Sequence, residues 1–455
     1  MIITKDTKIT AENLNAWISA FKTEPDQQPR LKKLGQYYDG TTEIKKQGAT
    51  TGRPNYSIHV NLATFITNVQ TGYFMGKPVD YDFKDEEKKQ ENPLKQPLSQ
   101  IDSNNFAEEE NYSLASDMSC YGVAYEVVMI DGENTEKTDI MQRLRYAKLD
   151  AENTFFVVDD SILQHPVCAI YMYSVKKQNK VEEWRGYVYT DEEIIEFSMQ
   201  GSVAVIGDRY DHQFGEIPVI EYKNNCDRKG DYEAVTEQLD ALSLTISNET
   251  DDLQSIANAI LGIYGATGTD DKTIQKINTT KIAKLPVGSK MEFIVKNVNI
   301  DAVKHQIDQN LSLIYQITQT PDLTDENFGG TQTGIAMRYK LWGIEQCRIT
   351  KERYFRRSLF QRLRLIFNIL ALSQGKSIYD ISQNIDFIFY KNLPEDDADI
   401  IDLVSRLQGI VSTRTLLKQI PFIDDVEAEL KEVDAESDKK AKQEAEAFAN
   451  YNDEE

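Results

Sequence analysis

The chain opens on a helical pattern. Leu14, Trp17, Ile18 and Phe21 recur at steps of three and four across Ala11–Lys22, and Thr10 stands where an N-cap would. A polar loop rich in Gly and Thr (Gly40–Pro54) follows. Val60, Leu62, Phe65, Ile66 and Val69 then predict a buried helix over Ile58–Tyr73, ending at Gly72 or Gly76. Pro78 forces extended chain, and Val79-Asp80-Tyr81-Asp82-Phe83 alternates with the period of a strand. Phe106–Ser119 returns to helical spacing. Beyond it Val123–Ile130, Phe155–Val158, Ala169–Tyr173, Tyr187–Thr190 and Ile194–Phe197 read as strands, with polar turns such as Asp131-Gly132 between them and Ile217–Ile220 closing the set. The expectation is an α+β domain around one mostly antiparallel, meandering sheet.

At Asp231 the period changes. Asp231 can cap a helix, and Glu233 sits in its first turn, where the helix dipole favours a carboxylate. Val235, Leu239, Leu242, Ile246, Leu253, Ile256, Ile260 and Ile263 fall on alternating four- and three-residue steps, with Glu249 in the one polar slot. This predicts a helix over Asp231–Tyr264, roughly 50 Å long at helical rise. A helix inside a core would show the same seam. The polar flanks and the broken position favour side-by-side packing of helices in an assembly. Gly265-Ala266-Thr267-Gly268 ends the helix, Lys272–Ile277 reads as a short helix, and Ile282–Leu285 with Met291–Ile294 reads as a hairpin across Pro286-Val287-Gly288. Val303–Thr318 returns with Ile307, Leu311, Ile314 and Ile317 on one face, so the whole is a helical hairpin with a small α/β head.

The segment from Thr320 to Gly330 carries every breaker signal of a loop. Gly334 opens a third long helix to Ser373, whose polar face bears Arg338, Lys340, Arg348, Lys351, Arg353, Arg356, Arg357, Arg362 and Arg364 against only Glu345 and Glu352. Long cationic helix faces are usually solvated or pair with acids on neighbouring elements; in a chain this acidic, pairing between subunits is an expected use of this one, and direct phosphate contact is the minority reading. Ile385–Tyr390 reads as one more strand, and short helices over Asp396–Gln408, Thr413–Gln419 and Asp425–Val433 finish the chain.

Length and charge sharpen this picture. At 455 residues the chain is too long for one core, and two to four domains are expected. The formal net charge of −23 argues against a protein that grips nucleic acid by replacing its counterions. The acidic stretch after Asp424 reads as a solvated helix fraying into disorder. Cys120, Cys168, Cys226 and Cys347 are scattered without a CxxC pair, which predicts free thiols. The opening MIITKDTKIT lacks a signal peptide's apolar run, and the most apolar stretch, Leu363–Leu372, contains Arg364 and is too short to span a bilayer; synthesis in the cytoplasm is expected.

A search for chemistry finds no catalytic constellation. Gly375-Lys376-Ser377 ends like a phosphate-binding loop, but Leu370 stands where its first glycine belongs and a helix, not a strand, precedes it. His59, His165, His212 and His305 lie far apart, and Asp325-Glu326 has no partners around it. No enzyme, no cofactor and no metal site is expected.

Four stretches together resemble the portal proteins of tailed bacteriophages, the class found in siphophages of Gram-positive hosts. They are Tyr37-Tyr38-Asp39-Gly40 with Asn61–Ile66 and Gly72–Val79; Phe106–Val128 with Cys120–Tyr125; Pro321-Asp322 through Asp325–Gly329 into Gly334–Leu341; and Phe387–Pro394 with Leu416-Leu417 and Ile420–Asp425. The resemblance implies the portal fold and a ring of twelve subunits at one capsid vertex, assembled in the host cytoplasm. Double-stranded DNA would pass through it without sequence specificity during packaging and ejection. Residues 1–230 would be the wing, 231–264 and 303–320 the stem helices, 265–302 an α/β clip, 321–334 a tunnel loop, 335–394 the long wing helix and its strand, and 395–455 a helical crown with the acidic tail. Asp325, Glu326, Asn327, Phe328, Gly329 and Gly330 would touch DNA at the constriction. The eight-residue seam would join neighbouring stems, and Lys272, Lys276, Lys281 and Lys284 would serve the clip's docking of partners. The implied partners are terminase, head-tail connector or adaptor proteins, and capsid and scaffolding proteins, with no membrane. The competing readings are an enzyme of nucleic-acid metabolism and a structural coiled-coil or scaffold protein without a DNA channel.

Overall fold

Helix α1 (Ala11–Thr23) forms where the sequence places it. The Thr10 hydroxyl accepts a hydrogen bond from the Asn13 backbone N–H at 3.2 Å, and Leu14, Trp17, Ile18 and Phe21 are its buried residues. In the computed structural model the described residues are 1–44, 46, 55–83, 94–132, 140–175, 183–257, 260–264, 288, 290–294, 299–323, 339–374, 385–392, 404–417 and a few positions from 420 to 435. They divide into two units, Met1–Asn392 and Leu393–Glu455.

Phe21 stacks on Phe155 with ring centroids 4.2 Å apart, which seats α1 on a six-stranded sheet. Its order is β1 (Ile2–Thr4), β5 (Thr154–Asp159), β6 (Pro166–Val175), β7 (Glu183–Tyr189), β8 (Glu193–Gln200) and β9 (Val203–Asp211). The last five form an antiparallel meander, and β1 joins β5 in parallel. The expected single sheet is in fact two. Residues 217–220 do not close the meander: β10 (Val219–Lys223) pairs with β3 (Val123–Ile130), which pairs with β4 (Leu144–Leu149). The reason lies in β3, whose first six residues are all buried. Its odd positions Val123, Tyr125 and Val127 pack into the core under the large sheet, while Ala124 and Val128 face a second core. A strand covered on both faces reads as a continuous apolar run and lies between two layers.

That second core is built on four helices: α3 (Leu62–Met75), α4 (Lys95–Asn105), α5 (Ala107–Tyr121) and the long helix α9 (Trp342–Gln374). Helix α3 starts later than expected because Asn61 caps it, its side chain accepting from Thr64 N–H at 3.3 Å. Helix α5 ends at Gly122, whose φ of 82° is left-handed and whose missing Cβ would meet the Arg228 carbonyl oxygen at 2.1 Å. A side chain there is excluded twice over. The short helix α6 (Ile140–Arg143) precedes β4, and β13 (Ile385–Ile388) pairs antiparallel with β2 (Asp80–Phe83).

A third core gathers α2 (Gln28–Asp39), α3, α7 (Thr236–Ala257) and α8 (Ile300–Thr318). Here two expectations are corrected. Asp231 does not cap the helix: a 3-10 turn, Glu233–Val235, intervenes before α7. The helix also stops at Ala257 rather than running to Tyr264, because β11 (Ile260–Tyr264) pairs antiparallel with β12 (Lys290–Ile294). Among the described residues β12 has that partner and no other; 282–285 and 272–277 lie outside them. In the second unit, helix α10 (Thr413–Leu417) follows a helical turn at 404–407. Among the described residues no helix is long and apolar enough to cross a membrane.

Candidate functional site

Residues 324–338 and 265–287 lie outside the described residues, and with them Asp325, Glu326, Asn327, Phe328, Gly329, Gly330, Lys272, Lys276, Lys281 and Lys284. What the structure places is the frame on which the first of these segments is mounted. Helix α8 ends with Gln319 in the left-handed region (φ 54°), and the Thr320 N–H reaches back to the Tyr315 carbonyl at 3.1 Å. The buried Gln70 side chain then donates to the Thr318 carbonyl at 3.1 Å and to the Thr320 hydroxyl at 3.2 Å. On the other side the start of α9 closes on the same place. The Cys347 thiol donates to Gln319 Oε1 at 3.2 Å, and a Cβ on Gly343 would sit 3.2 Å from Gln319 Cβ. The departure and the return of the segment are therefore fixed to one point on α3 and α8.

Around that point α9 is tied down by charge. Glu345 accepts from the Tyr73 hydroxyl at 2.8 Å, pairs with Arg348 at 3.1 Å and with Lys391 at 2.8 Å. Burial pushes its carboxyl upward, but the hydrogen bonds from Arg348, Lys391 and Tyr73 outweigh this and hold its pKa down at about 2. One turn on, Lys351 pairs with Asp231, which also accepts from Ser119 and Asn224. Asp231 thus joins α5, β10's exit and α9 instead of capping α7. Further along, Arg356 pairs with Asp386 and Glu352, Arg364 with Glu216, and Arg362 lies inside the core against Glu126 at 2.7 and 2.9 Å.

This answers the question posed by the basic helix. Arg348, Lys351, Arg356, Arg362 and Arg364 pair with carboxylates of their own chain, so the expected pairing across subunits is corrected for these five. Arg353 and Arg357 are exposed and have no carboxylate in pairing distance among the described residues, and Arg338 lies outside them. The seam is corrected likewise. Val235, Leu239 and Leu242 are at most 3 % exposed and pack in the third core on Leu34, Tyr37, Ile66 and Ile314, with Ile246 against them. Leu253 is 52 % exposed, Ile256 falls near the helix end, and Ile260 and Ile263 belong to β11. Of the returning face, Ile314 is buried, Ile307 and Leu311 are partly so, and Ile317 is exposed.

Neither His59, His165, His212 and His305 nor any other group of at least three His, Cys, Asp and Glu side chains forms a metal-binding cluster among the described residues. Cys120, Cys168, Cys226 and Cys347 are free, as the spacing implied.

Comparison with known proteins decides the family. The model of the family described as phage portal protein, SPP1 Gp6-like, matches residues 21–443. The chain belongs to that family. Among curated portal proteins, that of Clostridium phage phiCD119 is 21 % identical over 440 residues, covering 91 % of this chain and 94 % of the other. The portal protein of Bacillus phage SPP1 is 22 % identical over 471 residues, covering 96 % and 89 %. The resemblance carried by the tyrosine-glycine, cysteine-tyrosine-glycine and proline-aspartate stretches is borne out, and both relatives come from phages of Gram-positive bacteria. Portal proteins are structural components of phage particles, and the mixed α and β architecture is consistent with one.

Proposed function

We propose that this portal protein assembles as a twelve-membered ring at one capsid vertex and conducts double-stranded DNA, without regard to sequence, in packaging and in ejection. The observation that carries the reading is the family match over residues 21–443. The antiparallel pair α7 and α8 with the β11–β12 hairpin beyond it supports a stem carrying a clip, here with the first stem helix ending at Ala257. The clip, residues 265–302 with Lys272, Lys276, Lys281 and Lys284, is the docking platform for terminase and for head-tail connector proteins. The loop Asp325–Gly330 is the constriction, with Phe328 as its bulky element. The residues that flank it are held, on one side by the buried Gln70 at Thr318 and Thr320 and on the other by the Glu345 cluster. The charge of −23 suits a wall that DNA slides along, since a cationic wall would hold it by counterion release. Assembly takes place in the host cytoplasm, with capsid and scaffolding proteins as neighbours.

The test is a negative-stain image of the purified protein. A ring with a central hole supports the reading, and a compact monomer or a rod rejects it. For the constriction, Asp325→Asn with Glu326→Gln is expected to leave ring formation unchanged but alter DNA retained per capsid, most at low salt. Phe328→Ala is expected to let packaged DNA slip back. Wild-type packaging by every variant at two salt concentrations places the constriction elsewhere.

A further inference from the structure

Away from the frame just described, the turn between β5 and β6 presents two large apolar side chains to water. Ile162 is fully exposed, the most exposed large apolar side chain among the described residues, and Leu163 beside it is 76 % exposed. A single exposed apolar residue is ordinary, but two adjacent ones at a turn stand where Gly, Asn, Asp and Pro are favoured. The turn is tightly built. Asp159 Oδ1 accepts from the Ser161 N–H at 3.2 Å, the Ser161 hydroxyl at 2.6 Å and the His165 N–H at 2.9 Å, and the Gln164 N–H donates to the Ser161 carbonyl at 3.1 Å. The Asp159 carboxylate thus fixes the shape in which the two apolar side chains are offered.

The same chain carries a cavity of about 790 Å³ between the turn after α3, the junction of α4 with α5, the middle of α9 and β13. Met75, Pro78, Val79, Tyr81, Leu359 and Phe387 give it apolar walls, and the exposed Phe106 and Tyr112 extend them. Tip and cavity lie on roughly opposite faces of α9. Leu359 and Arg362 line the cavity, whereas Arg357 and Gln361 line the pocket at the foot of the tip. One copy's tip therefore does not fill its own cavity.

Charge agrees with a pairing of the two. The pocket at the foot of the tip, about 360 Å³ and lined in part by Leu163, brings Lys223, Arg228 and Arg357 against Glu221. The cavity's lining has the opposite excess, with Asp102, Glu108 and Glu109 beside an Arg362 that is already paired with Glu126. Glu108 and Glu109 open α5, whose dipole favours them, so they contribute only the sign of the surface.

We infer that the Ile162–Leu163 tip of one copy plugs the aromatic-walled cavity of the next copy of this chain. The two surfaces differ, so the contact is head-to-tail, and its repetition closes a ring or grows a filament. Insertion takes the tip's apolar surface out of water and brings the cations at its foot to the carboxylates of the cavity. A tip-to-tip contact would instead set cations against cations and leave the cavity empty. Closure into a ring rests on the assembly proposed above; the pairwise contact does not.

The experiment uses the full-length protein in a Cys226→Ser background, because Cys226 is exposed. Leu163→Cys places a thiol on the tip and Ser103→Cys one on the exposed lining of the cavity, and a short bismaleimide joins thiols in contact. The double variant is expected to give a ladder of covalent multimers on a denaturing gel. The two single variants co-expressed give dimers only, and either alone gives nothing above background. Ile162→Ser with Leu163→Ser is expected to melt with the native protein but to associate at least about tenfold more weakly in the analytical ultracentrifuge. Negative-stain images of the native protein separate this contact from the ring: rings without a ladder overturn the contact alone, a ladder without rings upholds the contact and overturns the ring, and neither overturns both. Dimers from Leu163→Cys alone also overturn the proposal, as does undiminished assembly of the serine variant; if that variant has instead lost binding to phosphatidylglycerol vesicles, the tip belongs to a lipid surface.

Discussion

The pair Arg362–Glu126 offers the sharpest test of how the two cores are joined. Both side chains are at most 2 % exposed, and Glu126 also accepts from the Tyr222 hydroxyl at 2.8 Å. Consider Glu126→Leu. It strands a guanidinium in the core, which costs about 3–5 kcal/mol. It also leaves the Tyr222 hydroxyl without its acceptor, a further ~1–3 kcal/mol. The sum is about 4–8 kcal/mol. For a unit the size of Met1–Asn392 unfolding together, an entropy of about 2.1 cal/mol/K per residue makes each kcal/mol worth roughly 1 °C. The expected fall in Tm is therefore about 4–8 °C, at fixed protomer concentration because assembly adds its own term. The triple variant Glu126→Leu, Arg362→Met, Tyr222→Phe strands nothing and is expected within about 2 °C of the native protein, on either side. Differential scanning calorimetry reads both. A single variant that melts within about 1 °C of native, or a triple variant no better than the single, refutes the reasoning.

Three more outcomes are expected. Gln70→Leu leaves the Thr318 carbonyl and the Thr320 hydroxyl without their donor, costing about 1–3 kcal/mol, and hydrogen exchange should quicken at the end of α8 before anywhere else. Two carboxylates give pH effects of opposite sign, read by melting from pH 2 to pH 8. Glu345, with its pKa depressed to about 2, contributes stability that is present above about 4.5 and lost as pH falls toward 2, so Glu345→Gln flattens the acid limb. Burial, and then the neighbouring Glu126, raise Glu110 to about 7, so it costs stability as pH rises from about 4.5 to 7, and Glu110→Gln is expected to stabilise at pH 8 but not at pH 4. Leu242→Asp buries a charge in the chain's own core and is expected to unfold the monomer, whereas Leu253→Asp, at an exposed position, is expected to leave it folded and weaken only the ring; normal rings from Leu253→Asp remove that stretch from the subunit interface.

Local signals were the legible ones. Thr10 with its four apolar partners defined α1, and the apolar run of β3 gave both its ends, because each depends on residues near in sequence. Helices α2 and α4 were missed: each has a proline in its first turn, Pro29 and Pro97, and few apolar positions to show a period. Strand β9 was missed because it is an edge, with Val203, Val205 and Tyr210 left exposed, so no alternation marks an inner face. The end of α7 was misplaced because Ile260 and Ile263 continue the heptad spacing, while the strand they form is decided by β12, thirty residues away. The frame around Gln70 carried no signal at all, since a lone glutamine in an apolar helix says nothing about a carbonyl at Thr318.

The assignment of Val235, Leu239 and Leu242, and of five cations of α9, to contacts between subunits fails for one reason. A seam or a charged face reports that one side of a helix meets something complementary, never whether that something belongs to the same chain. Val235, Leu239 and Leu242 meet α2, α3 and α8; Lys351, Arg356, Arg362 and Arg364 meet carboxylates at least thirty residues distant in sequence, on β3, β13 and the loops around β10. Lys351 and Arg362 are buried in their pairs, so neither can touch a phosphate without giving up its carboxylate, and for Arg362 that would leave Glu126 charged and alone in the core. Among the described residues of α9, Arg353 and Arg357 are the exposed cations without a carboxylate in pairing distance, and Lys351, Arg356, Arg362 and Arg364 act as cross-ties from the helix to Asp231, Asp386, Glu126 and Glu216.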